Sequence, residues 1–213
     1  MKRTQQIMSA LVLALGAQLG YAAAIEGGVT EVRLDAPVAN AIIDAGVSPA
    51  PLGSAGFEAD SLTFSFPITG GDLSDEVIPG SVIDHDGSGI SFTAGDISIE
   101  IGDFVIDTTD LLITGFARST NPAQGDALDI DGGVPLFSLS TGSDVDGFPF
   151  IVSLTETSAG ALNATFGTDL FAPGLRIGTA TTGPVVSEVP EPGTLGLLGL
   201  GLIAMGRLRA QRS

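Results

Sequence analysis

From Ser61 onward the sequence alternates, and this constrains the fold more than any other feature. SLTFSF sets Leu62, Phe64 and Phe66 against serine and threonine, and DISIEI sets Ile97, Ile99 and Ile101 against polar neighbours. Successive side chains of a strand point to opposite faces, so a period of two calls for strands with one buried face. GISFTA, FVIDTT, LLITGFA, LFSLS, FPFIVSLT, ALNATF and LRIGTATT continue the pattern at spacings of about 8 to 15 residues, punctuated by Gly, Asp and Pro. The expected fold is mainly β: an antiparallel β-sandwich or barrel with one short N-terminal helix. No longer period repeats, which argues against a solenoid.

Upstream of Ser61 the pattern changes. GGVTEVRLD (27–35) reads as a first strand. DAPVANAIIDAG (35–46) reads as the helix, with Asp35 at the N-cap, Pro37 in the first turn, Val38 and Ile42 on one face, and Gly46 where the chain leaves the helix. VSPAPLGSAG (47–56), with its prolines and glycines, is expected to be an extended linker.

Both ends carry processing signals. Residues 1–24 have a positive start (Lys2, Arg3), an apolar run from Ile7 to Ala17, and an A-x-A cleavage site formed by Ala22 and Ala24. This is the pattern of a secretory signal peptide. At the other end, residues 179–188 are expected to tether the exported acidic β domain (25–178) to a tail, 189–213. The apolar part of that tail, Thr194 to Gly206, reads as a short C-terminal helix of about 20 Å, against a hydrocarbon core of about 30 Å. Glycines 193, 196 and 199 soften it further. Arg207, Arg209 and Arg212 follow it and hold the C-terminus on the cytoplasmic side.

Charge divides the chain. Residues 25–190 hold three basic residues, Arg33, Arg118 and Arg176, against 24 acids, a formal charge of −21. Such a surface repels nucleic-acid phosphates, so no nucleic-acid partner is expected. There is no cysteine, so the exported domain relies on its core alone.

Three D-x-D-G motifs are the main candidates for chemistry: Asp84 with Asp86, Asp129 with Asp131, and Asp144 with Asp146. Paired carboxylates on a glycine turn suit calcium. With each glycine at the sixth position of an EF-hand loop, the twelfth falls on Thr93, Ser138 or Ser153 and never on Glu. Asp-Gly also makes tight β-turns, and that reading is preferred. His85 is the only histidine, too few for a multi-histidine zinc site, and no G-x-S-x-G accompanies it. Ser88 reads as a turn-capping serine. No catalytic pair stands out, and no enzyme is expected.

Val189, Pro190, Glu191 and Pro192, followed by a short apolar run and terminal arginines, resemble the PEP-CTERM sorting signal. The resemblance implies a Gram-negative bacterium, passage through the inner membrane, processing by an exosortase near Pro-Glu-Pro, and delivery to the cell surface or exopolysaccharide matrix. A second resemblance rests on PLGSAG, FSFPITGGDL (64–73) and GSVIDHDGSGISFTAG (80–95), which are similar to HtaA-type haem-uptake modules. It implies a shared β scaffold. Haem itself would need an axial Tyr, His, Cys or Met. The exported domain offers only His85, so haem is not carried over; Met8 and Met205 lie in the terminal segments.

The sequence therefore reads as an exported, non-enzymatic surface or matrix protein, sorted by its tail and in contact with exopolysaccharide. The alternatives are a calcium-dependent adhesive or polysaccharide-binding module and, behind that, a secreted hydrolase with an unrecognised acid pair.

Overall fold

A computed structural model describes residues 23–74, 80–122 and 129–187. Most of the signal peptide, with Ala22, lies outside the described residues, as do Val189–Pro192, the apolar run 194–206 and Arg207, Arg209 and Arg212.

The described chain is one eleven-stranded antiparallel sheet and two helices. The strands are β1 (Ala23–Leu34), β2 (Ser48–Gly53), β3 (Gly56–Glu58), β4 (Thr63–Pro67), β5 (Gly70–Leu73), β6 (Val82–Ala94), β7 (Ile97–Asp107), β8 (Leu112–Thr120), β9 (Asp129–Thr141), β10 (Phe150–Leu154) and β11 (Arg176–Val186). From β6 to β11 each strand pairs with the next, and β11 then pairs with β1 from Ile25↔Val186 to Leu34↔Gly178. Ala23 and Ala24 pair with β5, which pairs with β6, so the sheet of the unprocessed chain closes on itself; removal of residues 1–24 would take away this β1–β5 pairing and leave the β1–β11 and β1–β4 ladders from Ile25 onward. Of sandwich and barrel, this is a barrel, with the short strands β2 and β3 left at its edges. Its seam lies between β1 and β6. Beyond the β5 contact, β1 pairs with β4 over Val29–Arg33, while the second half of β6 pairs with β2.

The period of two fills the interior as expected. Phe64, Ile83, Ile99, Leu136 and Val152 are almost wholly buried. The rings of Phe57, Phe64, Phe66, Phe104 and Phe137 form a file with centroids 4.4, 6.2, 5.2 and 6.4 Å apart. Each fully buried ring contributes up to about 3 kcal/mol.

Helix α1 (Ala36–Asp44) forms where its signals put it, with Pro37 in the first turn. Asp35 occupies the N-cap, but its carboxylate makes no cap bond. It pairs instead with Arg176 Nε at 2.9 Å, tying α1 to β11.

Three expectations are corrected. Residues 48–53 of the supposed linker form β2, because an extended, proline-containing chain still pairs on a sheet edge. Residues 179–186 of the supposed tether form most of β11. TATTGPVV is rich in β-branched residues, and Pro184 lies beyond Arg176–Ala180, the stretch paired with β10, where β11 has a ladder on one side only. ALNATF is not a strand but the second half of helix α2 (Glu156–Phe166). Thr155 caps that helix by accepting from Ser158 N at 3.2 Å, and Gly167 ends it at φ 64°, a left-handed conformation that glycine adopts without strain.

Candidate functional site: an apolar cavity beneath two helices

The two helices roof a cavity of about 400 Å³ inside the barrel. Val38 and Ile42 reach it from α1, and Phe66, Ile99 and Leu136 are among its walls. Helix α2 lines it with the small residues Thr157, Gly160, Ala161 and Ala164, which leave room in the roof, beside the larger Leu162 and Phe166. Thr157, Gly160 and Ala164 are exposed, and so is Ile130 on β9, another lining residue. The mouth therefore lies between α2 and the start of β9.

The polar lining includes a connected pair, Thr30 on β1 and His85 on β6. His85 is 1% exposed. Its Nδ1 lies 3.1 Å from the Phe104 carbonyl oxygen, which can only accept, so Nδ1 carries the proton. Nε2 then accepts from the Thr30 hydroxyl at 2.7 Å, and Thr30 Oγ1 accepts from Thr182 Oγ1 at 2.9 Å. Burial pushes the pKa of His85 below its ordinary value, against the opposing pull of the Phe104 carbonyl, so the neutral ring is favoured.

The sequence around His85 explains how it comes to point inward. Asp86, Gly87 and Ser88 form a bulge in β6, facing Asp103 on β7, which itself has φ 48°. Gly87 sits at φ 72° and donates its N–H to Asp103 Oδ1 at 2.7 Å, while Asp86 N donates to Thr69 Oγ1 at 2.9 Å. Ser88 Oγ donates to the His85 carbonyl at 3.0 Å, a local capping bond of the kind expected of it.

The D-x-D-G motifs do not converge. Asp84 is regularly paired in β6 and Asp86 begins its bulge, while Asp129 and Asp131 open β9, so neither pair makes the tight turn preferred from sequence. Only Asp144 and Asp146 lie in a connecting loop, between β9 and β10. Asp129 and Asp131 face Arg118 at 3.3 and 3.1 Å, and Asp144 faces Arg176 at 3.4 Å. Among the described residues no group of three or more His, Cys, Asp or Glu is placed to hold a metal ion. Asp84 has a raised pKa, first because burial strips its water and then because Asp86 and Asp72 are close.

Comparison with known proteins adds two findings. Residues 188–210 match the PEP-CTERM protein-sorting motif. The match covers Val189, Pro190, Glu191 and Pro192, and Arg207 and Arg209 as well. The described domain has the HtaA fold. The C-terminal domain of HtaA from Corynebacterium glutamicum superposes with TM-score 0.59 at 17% identity, covering 78% of this chain and 99% of that one. The N-terminal domain of the same protein gives TM-score 0.56 at 14% identity, covering 77% and 99%. No curated protein matches the sequence. The similarity read from FSFPITGGDL and its neighbours thus holds for the scaffold. The sorting motif implies an exported protein processed by an exosortase. Among the described residues no helix is long and apolar enough to cross a membrane.

The cavity does not fit haem. His85 has both ring nitrogens engaged, and residues 23–187 contain no Tyr, Cys or Met to replace it as axial ligand. None of the three arginines of that span lines the cavity to meet carboxylates.

Sequence reasoning missed the cavity. Its signal was present but faint: small residues on one side of α2, where ALNATF was taken for a strand.

Proposed function

We propose that this chain is an exosortase-sorted surface or matrix protein of a Gram-negative bacterium. Its acidic barrel is the delivered domain, and it acts by contact or binding rather than by catalysis. The observation that carries this reading is the sorting motif directly after the barrel, at 188–210. Ser187, the last described residue, donates its N–H to the Ala24 carbonyl at 3.1 Å. Ala24 and Ser187 therefore sit together at one pole of the barrel, each next in sequence to a segment that would be processed. Acidic side chains on the outer faces of the strands keep the released domain in solution and are compatible with retention in a hydrated polymer matrix. Calcium-dependent adhesion has less support, since the Asp-Gly pairs are dispersed and Asp129, Asp131 and Asp144 face arginines.

The test is fractionation of a host that carries the exosortase. The epitope-tagged protein should appear at the surface or in the extracellular polymer. With Pro190, Glu191 and Pro192 all changed to alanine it should stay with the inner membrane. Equal release of both forms refutes the reading.

A further inference from the structure

We propose that the cavity beneath α1 and α2 is a binding site for a neutral, chiefly hydrocarbon ligand, a chain or ring system with no charged group. This goes beyond the sorting reading and can fail separately from it.

The volume, about 400 Å³, lies within the range of small-molecule sites, and apolar cavities of this kind admit apolar guests rather than water. The walls are aliphatic and aromatic side chains from both sides of the barrel. The connected polar pair in the lining already satisfies itself: the Nδ1–H of His85 is held by Phe104, Nε2 by Thr30, and the Thr30 oxygen by Thr182. An ionic group entering here would lose its water and find no charged partner, the remaining polar lining being the hydroxyls of Thr157 and Ser158, which makes burial costly. The three arginines of the domain are elsewhere, two of them paired with carboxylates at Asp35, Asp129, Asp131 and Asp144. Net charge adds to this, because 24 acids in residues 25–190 repel an approaching anion. Anionic ligands, fatty carboxylates and haem included, are thereby selected against, and uncharged hydrocarbon is what remains.

The route in is the face of α2 that carries Thr157, Gly160 and Ala164. A Cβ built on Gly160 meets nothing within 4 Å, so a side chain can start there without a clash. A larger residue there narrows the mouth.

The experiment is calorimetric titration of the protein recovered from an exporting host with straight-chain primary alcohols of increasing length. The dissociation constant should fall about fourfold per added CH₂ until the cavity is filled, and then level off. The carboxylate of the best length should bind at least about tenfold more weakly at neutral pH. Gly160→Phe should lose alcohol binding while keeping its melting temperature. Ala164→Phe, at the same mouth, serves if the first variant does not fold. No alcohol binding at any length, a carboxylate bound as tightly as the alcohol, or unchanged binding by the folded mouth variants overturns the proposal. So does haem uptake with the spectrum of an axially ligated iron.

Discussion

Thr30 and His85, 55 residues apart in sequence, share a 2.7 Å hydrogen bond at the wall of the barrel cavity. The bond links β1 to β6, the two strands that flank the seam. It also sits mid-way in a chain of donors from Thr182 to the Phe104 carbonyl, so removing Thr30 orphans groups on both sides. Thr30→Val keeps the shape and deletes the hydroxyl. It should cost about 1–3 kcal/mol, the scale for leaving buried polar groups unpaired. Thr182→Val should cost less, because Thr30 still satisfies His85. Denaturant titration of both variants decides; equal and negligible costs would show that the chain of bonds contributes nothing.

His85 should make the fold acid-sensitive. Its folded pKa is depressed, so below its ordinary value near 6.5 the unfolded chain takes up a proton that the folded chain does not. Stability should therefore fall as pH drops below about 6.5. In His85→Asn, whose amide reaches the place of Nδ1, that part of the slope should vanish. Melting curves of both proteins across this range test it, and parallel profiles would contradict it.

Asp84 should have the opposite sign. Its folded pKa is raised above 3.8, so the folded chain holds the extra proton and stability is lost as pH rises through that region. Asp84→Asn removes a carboxylate that is part-buried and close to Asp86 and Asp72. At pH 7 it should stabilise by a few tenths of a kcal/mol, as expected for relief of like charges on neighbouring strand positions. The gain should disappear below about pH 3.8. A variant less stable than wild type at pH 7 would argue that Asp84 makes a favourable contact instead.

Arg176 joins α1 to β11 through Asp35, with both side chains about one-third exposed. At that exposure the pair is worth no more than about 1 kcal/mol. Arg176→Met should cost that or less in thermal melts, and the difference from wild type should shrink in high salt. A loss of several kcal/mol would mean that α1 depends on this contact far more than its Val38 and Ile42 packing suggests.

How much of this was legible beforehand follows from the range of the signals. Phe64, Phe66, Ile99 and Ile101 declare their strands because alternation is local. Val189–Pro192 declare the tail because the motif is linear. Closure of the barrel was not legible, since the partner of Val32 is Ala180 and no local pattern says so. The same distance hid His85: its partners, Thr30 and Phe104, are 55 and 19 residues away. ALNATF misled because so short a run, its apolar residues interrupted by polar ones, fits a strand and a helix alike. Thr155 before that helix and Gly167 after it held the information that decides. The Asp-Gly pairs misled in another way. Asp86-Gly87 supplies the backbone freedom that a bulge needs as readily as that of a turn, and only the strand opposite distinguishes them.

The central claim is that the two ends of the chain are addresses and the barrel between them is what is delivered. The most direct test is the intact mass of the protein recovered from a host with the exosortase. A chain beginning near Ile25 and ending near Pro-Glu-Pro, without residues 193–213, is the expected result. A mature chain that keeps residues 193–213 would contradict it.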